Sequence, residues 1–249
     1  MDKIHKNIRF YRHGFKDRKE KENSMSRNTE TRELFTLSHS LAAPLLEKTQ
    51  HPWEILPEIG DFILRIGPSL PPEEYRQIGE DIWIAQDVTI ARTATVIGPT
   101  IIGRGTEVRP GAYIRGKALI GEECVIGNST EIKNAVLFDR VQVPHYNYVG
   151  DSILGYRAHM GAGAIASNVR GDRGPITVHD GDENQKTGLK KFGTMLGDCA
   201  EIGCNSVLCP GSVVGRNTQV YPLSRVRGVI PADSLLKGDG SVVPKGELQ

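Results

Sequence analysis

Aromatic residues make up only 6% of this 249-residue chain, and neither charge sign dominates: 31 Lys and Arg stand against 30 Asp and Glu. Nucleic-acid binding normally leaves a basic stripe with interleaved aromatics, and with neither present no nucleic-acid partner is expected. Apolar runs all fall far short of the roughly 18 residues that a membrane span needs, and the N-terminus has no apolar signal core. A cytoplasmic chain without a membrane partner is the expectation. Cysteine is scarce too. Four in this length form no disulfide framework, and Cys199, Cys204 and Cys209 match no zinc spacing, so reduced thiols and no metal are expected. What remains is 38% hydrophobic residues, enough for one sizeable core or two small ones.

Residues 1–24 carry Lys, Arg and His at ten positions, mixed with acidic residues and without an apolar period, which reads as a flexible basic arm extending to about residue 30. Met25 offers an alternative start. From Thr31 to residue 77 the pattern turns helical. Leu34, Leu37, Leu41 and Leu45 recur at three- and four-residue spacings, and a second apolar stretch follows from Trp53, so a small helical cap is expected.

Beyond residue 77 the period changes to six. Every sixth residue from Ile78 through Ile84 and Ile90 to Phe138 is aliphatic or aromatic, and the residues two places earlier are mostly small or β-branched. The phase resumes four residues late at Tyr148, Leu154 and Met160, and returns from Leu196 to Val226. A helix cannot place every sixth residue on one face, because six steps of about 100° leave the side chain roughly 120° off. A six-residue period instead implies an all-β solenoid over 78–230: a parallel β-helix with three hexapeptides per coil. A tail is expected over 231–249. Two departures from the count, at 139–148 and 168–193, are expected to be loops pushed out of the rigid solenoid, where such proteins place binding groups.

The array, together with "STEIKNAVLFDRVQVPHYNYVGDSILG", "MGAGAIASNVRGD" and "GLKKFGTMLGD", resembles the left-handed β-helix acetyltransferase domain of the bifunctional N-acetylglucosamine-1-phosphate uridyltransferase / glucosamine-1-phosphate acetyltransferases, and their archaeal sugar-1-phosphate nucleotidyltransferase/acetyltransferase counterparts. The resemblance implies a homotrimer that acetylates an amino-sugar 1-phosphate with acetyl-CoA. By that resemblance His145, twelve residues after Lys133, is the catalytic base. Arg115 and Lys133 hold the sugar phosphate, and Tyr148 and Asn168 position the sugar. Ala162 and Cys204 face the coenzyme, Cys204 standing where the family has a serine. His159 replaces a family asparagine and is taken as a substrate contact, and Val169 replaces a tyrosine. Residues 1–77 hold no glycine-rich phosphate loop, so the nucleotidyltransferase half is not expected.

N-acetylation needs a base for the amine proton, and imidazole ionises in the right range. Arg115 and Lys133 are eighteen residues apart, about one coil, and so are expected to stack as two cations facing one dianion. Lys186, Lys190 and Lys191 are candidates for the coenzyme phosphates, although a lysine-rich loop is more often simply solvated. His145, His159 and His179 also raise a metal-dependent reading, which their wide spacing disfavours. The alternative is a non-catalytic sugar-nucleotide-binding or regulatory β-helix.

Overall fold

The computed structural model describes residues 27–247. Most of the basic arm, and Met25, lie outside the described residues. Residues 27–30 do not behave as an arm: Thr29 is fully buried, and its hydroxyl meets His51 and Gln185.

The six-residue period folds as a left-handed parallel β-helix of about nine coils. Short strands stack in three columns, represented by Thr100–Ile102, Glu107–Val108 and Tyr113–Ile114, and each pairs with the equivalent strand one coil on. The register is eighteen residues in the early coils, Thr100 lying on Ala118 and Val108 on Ile126. Aliphatics at the sixth positions point inward and are sealed. Ile102, Ile114, Ile120, Ile126 and Ile132 are all fully buried. The small residue two places before each sixth position lies where the chain turns a corner, and its hydroxyl, where present, donates to a carbonyl, in the next coil from Thr106 to Gly121 and Thr130 to Val143 and within its own coil from Thr100 to Ile97. A buried hydroxyl without such a partner would cost the fold.

The core series opens later than the sequence implies. Ile78 is 47% exposed, because it sits on an antiparallel strand, Tyr75–Gly79, that closes the first coil against Ile82–Ala85. At the other end the solenoid outlasts residue 230. Ser234–Leu236 still pairs in parallel with the coil below, and Val242–Pro244 closes it antiparallel, so these residues are not a loose tail.

The helical segment also differs from expectation. It is a series of short turns, including Thr31–Leu34, Ala43–Leu46 and Ile59–Ile66, and it lies along one flank of the solenoid instead of on its end. Pro44 opens the turn Ala43–Leu46 instead of ending a long helix, and Leu41 is left 41% exposed. The layer is fastened by ring contacts between Phe35 and Phe138 and between Trp53 and Phe192. Arg216 adds hydrogen bonds to the carbonyls of Arg32 and Glu33. No helix among the described residues is long and apolar enough to cross a membrane.

Candidate functional site

The break in the count is not an insertion. Leu137 stacks on Ile120, Val143 on Ile126 and Val149 on Ile132, so the coils here repeat after seventeen residues. Two sides of the prism have lost one residue each. Corner residues with positive φ mark the steps: Ser129, Asn134, Arg140, Tyr146 and Asp151 follow at intervals of five, six, six and five. Phe138 and Tyr148 are therefore not the stacking residues, whereas Leu154 and Met160 keep their places. The shortened corner merges two sides into the seven-residue strands Glu131–Leu137 and Tyr148–Leu154.

Both short sides end on polar residues able to adopt the left-handed conformation, Asn134 (φ 48°) and Asp151 (φ 49°). The register places Asn134 beneath Asp151, and Asn168 follows seventeen residues later. The three form a ladder. Asn134 Nδ2 donates to Asp151 Oδ1 at 2.8 Å from one side, and Asn168 Nδ2 donates to Asp151 Oδ2 at 2.6 Å from the other. Lys133 Nζ stands 3.2 Å from the same Oδ2, and Asp151 is only 4% exposed. Asn168 also donates to the Tyr148 hydroxyl at 3.1 Å. Burial first, and then the carboxylates of Asp151 and Glu131, push the Tyr148 phenol above its ordinary pKa.

The fold thus brings Lys133, Tyr148 and Asn168 together around an aspartate that the sequence reading did not single out. The signal was available. Asn134, Asp151 and Asn168 are spaced by seventeen, the local coil length, and Asp151 lies within "VGDS".

Arg115 does stack beside Lys133, its amide donating to the Ile132 carbonyl. The two are not free cations. Arg115 pairs with Glu131 at 2.5 Å and Lys133 with Asp151, so the quartet is neutral and the expected bare dication is absent.

His145 is exposed at the end of strand Gln142–His145, immediately before the corner at Tyr146, which leads to Tyr148 on the adjoining face. Its ring has no hydrogen-bond partner among the described residues. The register places it over Asn128, and the Gly163 amide of the next coil donates to its carbonyl. Ala162 occupies the same corner one coil up, and the Asn205 amide, next to Cys204, donates to the Ala162 carbonyl. His145, Ala162 and exposed Cys204 therefore follow one edge of the prism.

His159 is not part of this arrangement. It stacks over Gln142, three residues before the edge, with Nδ1 2.8 Å from Glu201 Oε2, in a polar cavity of about 430 Å³ shared with Arg140 and Arg157. Residues 168–193 are not a plain loop. They contain an antiparallel hairpin, Thr177–Asp180 with Glu183–Lys186, whose Ile176 and Val178 are buried. Lys190 and Lys191 are exposed beyond it, immediately before buried Phe192 and Gly193, whose amide donates to the Asp151 carbonyl. His179 hydrogen-bonds Asn184 within the hairpin. No group of three or more His, Cys, Asp or Glu among the described residues is placed to hold a metal ion.

Residues 96–181 match the family described as GMPPB C-terminal domain. Among curated proteins the chain is similar to a bifunctional protein GlmU of Methanococcus maripaludis, 35% identical over 92 residues covering 37% of this chain and 22% of the relative. It is also similar to a bifunctional sugar-1-phosphate nucleotidylyltransferase/acetyltransferase of Sulfurisphaera tokodaii, 31% identical over 94 residues covering 38% and 23%. The matched part spans less than a quarter of the length of these relatives. Among solved structures the chain is similar to the acetyltransferase domain of PglB from Neisseria gonorrhoeae in complex with acetyl coenzyme A, which overlaps 66% of this chain and 57% of its own at 18% identity and a TM-score of 0.35.

Proposed function

We propose, from a solenoid related to the GlmU-type left-handed β-helix, that this chain transfers the acetyl group of acetyl-CoA to the amine of an amino-sugar phosphate. The observation that carries the reading is the meeting of Lys133, Tyr148 and Asn168 around Asp151, one corner away from an exposed histidine whose ring is free. The amine attacks the thioester carbonyl, a C–N bond forms, and the C–S bond breaks as the coenzyme leaves. His145 takes the proton that the amine sheds and returns it to the departing sulfur. Asp151 orients the Asn168 carboxamide, which with the Tyr148 hydroxyl presents hydrogen-bonding groups to the sugar. Ala162 and Cys204, along the edge from His145, line the path of the thioester arm, and Lys190 and Lys191 are the cations available to its phosphates. The working unit is a homotrimer, with sites between neighbouring chains as the resemblance implies.

A second reading, binding without catalysis, is favoured by one observation. Glu131 and Asp151 neutralise the two cations assigned to the sugar phosphate. Thiol release from acetyl-CoA, measured with a panel of amino-sugar 1-phosphates and nucleotide-linked amino sugars for the wild type and His145→Ala, separates the two. Release with one sugar, lost in the variant, is the expected result. No release by a folded protein with any of them overturns the transfer reading.

A further inference from the structure

The hairpin and the strands beside it border an open cavity of about 480 Å³ whose lining includes Val169, Arg170, Asp172, Pro210, Arg225 and Arg227. That volume lies within the range of small-molecule sites. Arg170 is bonded to Asp172. Arg225 and Arg227 have no carboxylate partner among the described residues, unlike Arg115, Arg104, Arg140 and Arg216. Both are exposed, so water solvates them in the empty protein, and two like charges beside one cavity make an anion a favourable occupant.

The cavity opens on the same face as the Asp151 ladder. Arg225 stacks over Val207, Val207 over Ile165, and Ile165 over Tyr148. Three steps of about 4.8 Å put the Arg225 backbone about 14 Å above that of Tyr148, a gap that a sugar diphosphate and an arginine side chain cover together. Arg225 and Arg227, two residues apart along a strand direction, set their Cα atoms about 7 Å from one another on one face. Two planar forks at that spacing suit two linked phosphoryl groups better than one. Val169, 41% exposed beside Asn168, and Pro210 supply apolar wall for the attached nucleoside. Arg115 and Lys133 are already paired with Glu131 and Asp151, whereas Arg225 and Arg227 keep their charge for a ligand.

We propose that this cavity binds the diphosphate of a nucleotide, so that the acceptor is a nucleotide-linked amino sugar and not a free sugar 1-phosphate. The identity of the acceptor rests on the transfer reading above, whereas the diphosphate contact stands on the arginines alone. Coenzyme A carries the same chemistry in its adenosine diphosphate, so the test has an arm for each source.

Calorimetric titration with uridine diphosphate, guanosine diphosphate and coenzyme A, run separately on the wild type and on the Arg225→Ala/Arg227→Ala double variant, needs no turnover and so is independent of His145. The double variant is expected to weaken nucleoside-diphosphate binding at least about tenfold, the loss of one charge-assisted contact or more. Pyrophosphate is expected to compete for the same site in the wild type, which keeps the test intact should the double variant misfold. Weakening confined to coenzyme A supports the diphosphate site but overturns the sugar-nucleotide acceptor. Binding of all three unchanged by the substitutions, or none displaced by pyrophosphate, overturns the site itself. Loss of acetyl transfer in His145→Ala with nucleotide binding intact would leave this proposal standing whatever becomes of the acceptor.

Discussion

Lys133 Nζ lies 3.2 Å from Asp151 Oδ2 across one step of the coil, and that carboxylate also accepts hydrogen bonds from Asn134 below it and Asn168 above it. One buried anion thus holds three side chains, Lys133 and Asn134 from the coil below and Asn168 from the coil above. Replacing it by a neutral group leaves Lys133 without its counter-ion and the two carboxamide donors with one acceptor oxygen between them. Asp151→Asn is expected to lower the unfolding free energy by about 1–3 kcal/mol, less than for a wholly buried pair because Lys133 keeps partial access to water. Urea unfolding at neutral pH reads this, and an unchanged midpoint would remove Asp151 as the organiser of the site.

His145 makes no side-chain bond within the described residues, so its removal should cost chemistry and not structure. His145→Ala is expected to reduce acetyl transfer by about 10²–10⁴-fold, the usual contribution of a general base, with the thermal midpoint unmoved. A loss of stability alongside the loss of rate would mean that the ring has a structural role instead.

The Tyr148 phenol is held above its ordinary pKa by burial and by Asp151 and Glu131. The sign follows from which form the fold prefers. Because the folded value is the higher one, the protonated phenol contributes stability that is fully present below the ordinary tyrosine value and is lost as the pH rises through the folded value. Tyr75 is raised too, again chiefly by burial. Alkaline absorbance titration should therefore show late-ionising tyrosines, and Tyr148→Phe should remove part of that late phase while leaving the earlier one alone. An unchanged late phase in the variant counts against the buried phenol.

Burial pushes the Cys124 thiol up to about 12, whereas Cys204 is exposed on the proposed coenzyme edge. Alkylation at pH 8 with mass-spectrometric mapping is expected to label Cys204 and spare Cys124 until the protein is unfolded, because the thiolate is the reacting form. Prior saturation with coenzyme A should slow labelling of Cys204. Equal labelling with and without the coenzyme would take that edge out of the site.

Trp53 links the helical layer to the site, packing its ring 5.6 Å from that of Phe192, the residue before Gly193. Trp53→Ala is expected to cost about 3–5 kcal/mol, the range for truncating a buried aromatic. Limited proteolysis within residues 31–70 should rise with it; a layer that stays protected would show that it is held by its other contacts.

The solenoid was legible because its signal is repeated: each hexapeptide states again which residue is inward and which turns the corner. The placements the sequence missed are those stated only once. Leu41 matched a helical stripe yet stays exposed, since Pro44 starts a new turn, and Ile78 matched the six-residue phase yet sits on an antiparallel closing strand. His159 carried a resemblance, and the structure sets it three residues before the edge on the face that also carries Gln142, where it meets Glu201.

The order of side chains by itself determined that this chain would wind into coils, because a six-residue aliphatic period can be buried by three-sided stacking and not by a helix or a flat sheet. It also marked the two segments where the period fails, 139–148 and 168–193, as the places to expect polar side chains. Tertiary structure alone decided which charges meet. Two corners one residue short shift the register from eighteen to seventeen, place Asn134, Asp151 and Asn168 in one ladder and give Lys133 its carboxylate, while Arg115 meets Glu131 across strands still paired at eighteen. Contacts across coils depend on the residue count of every intervening side, and that sum is settled only when the strands pair.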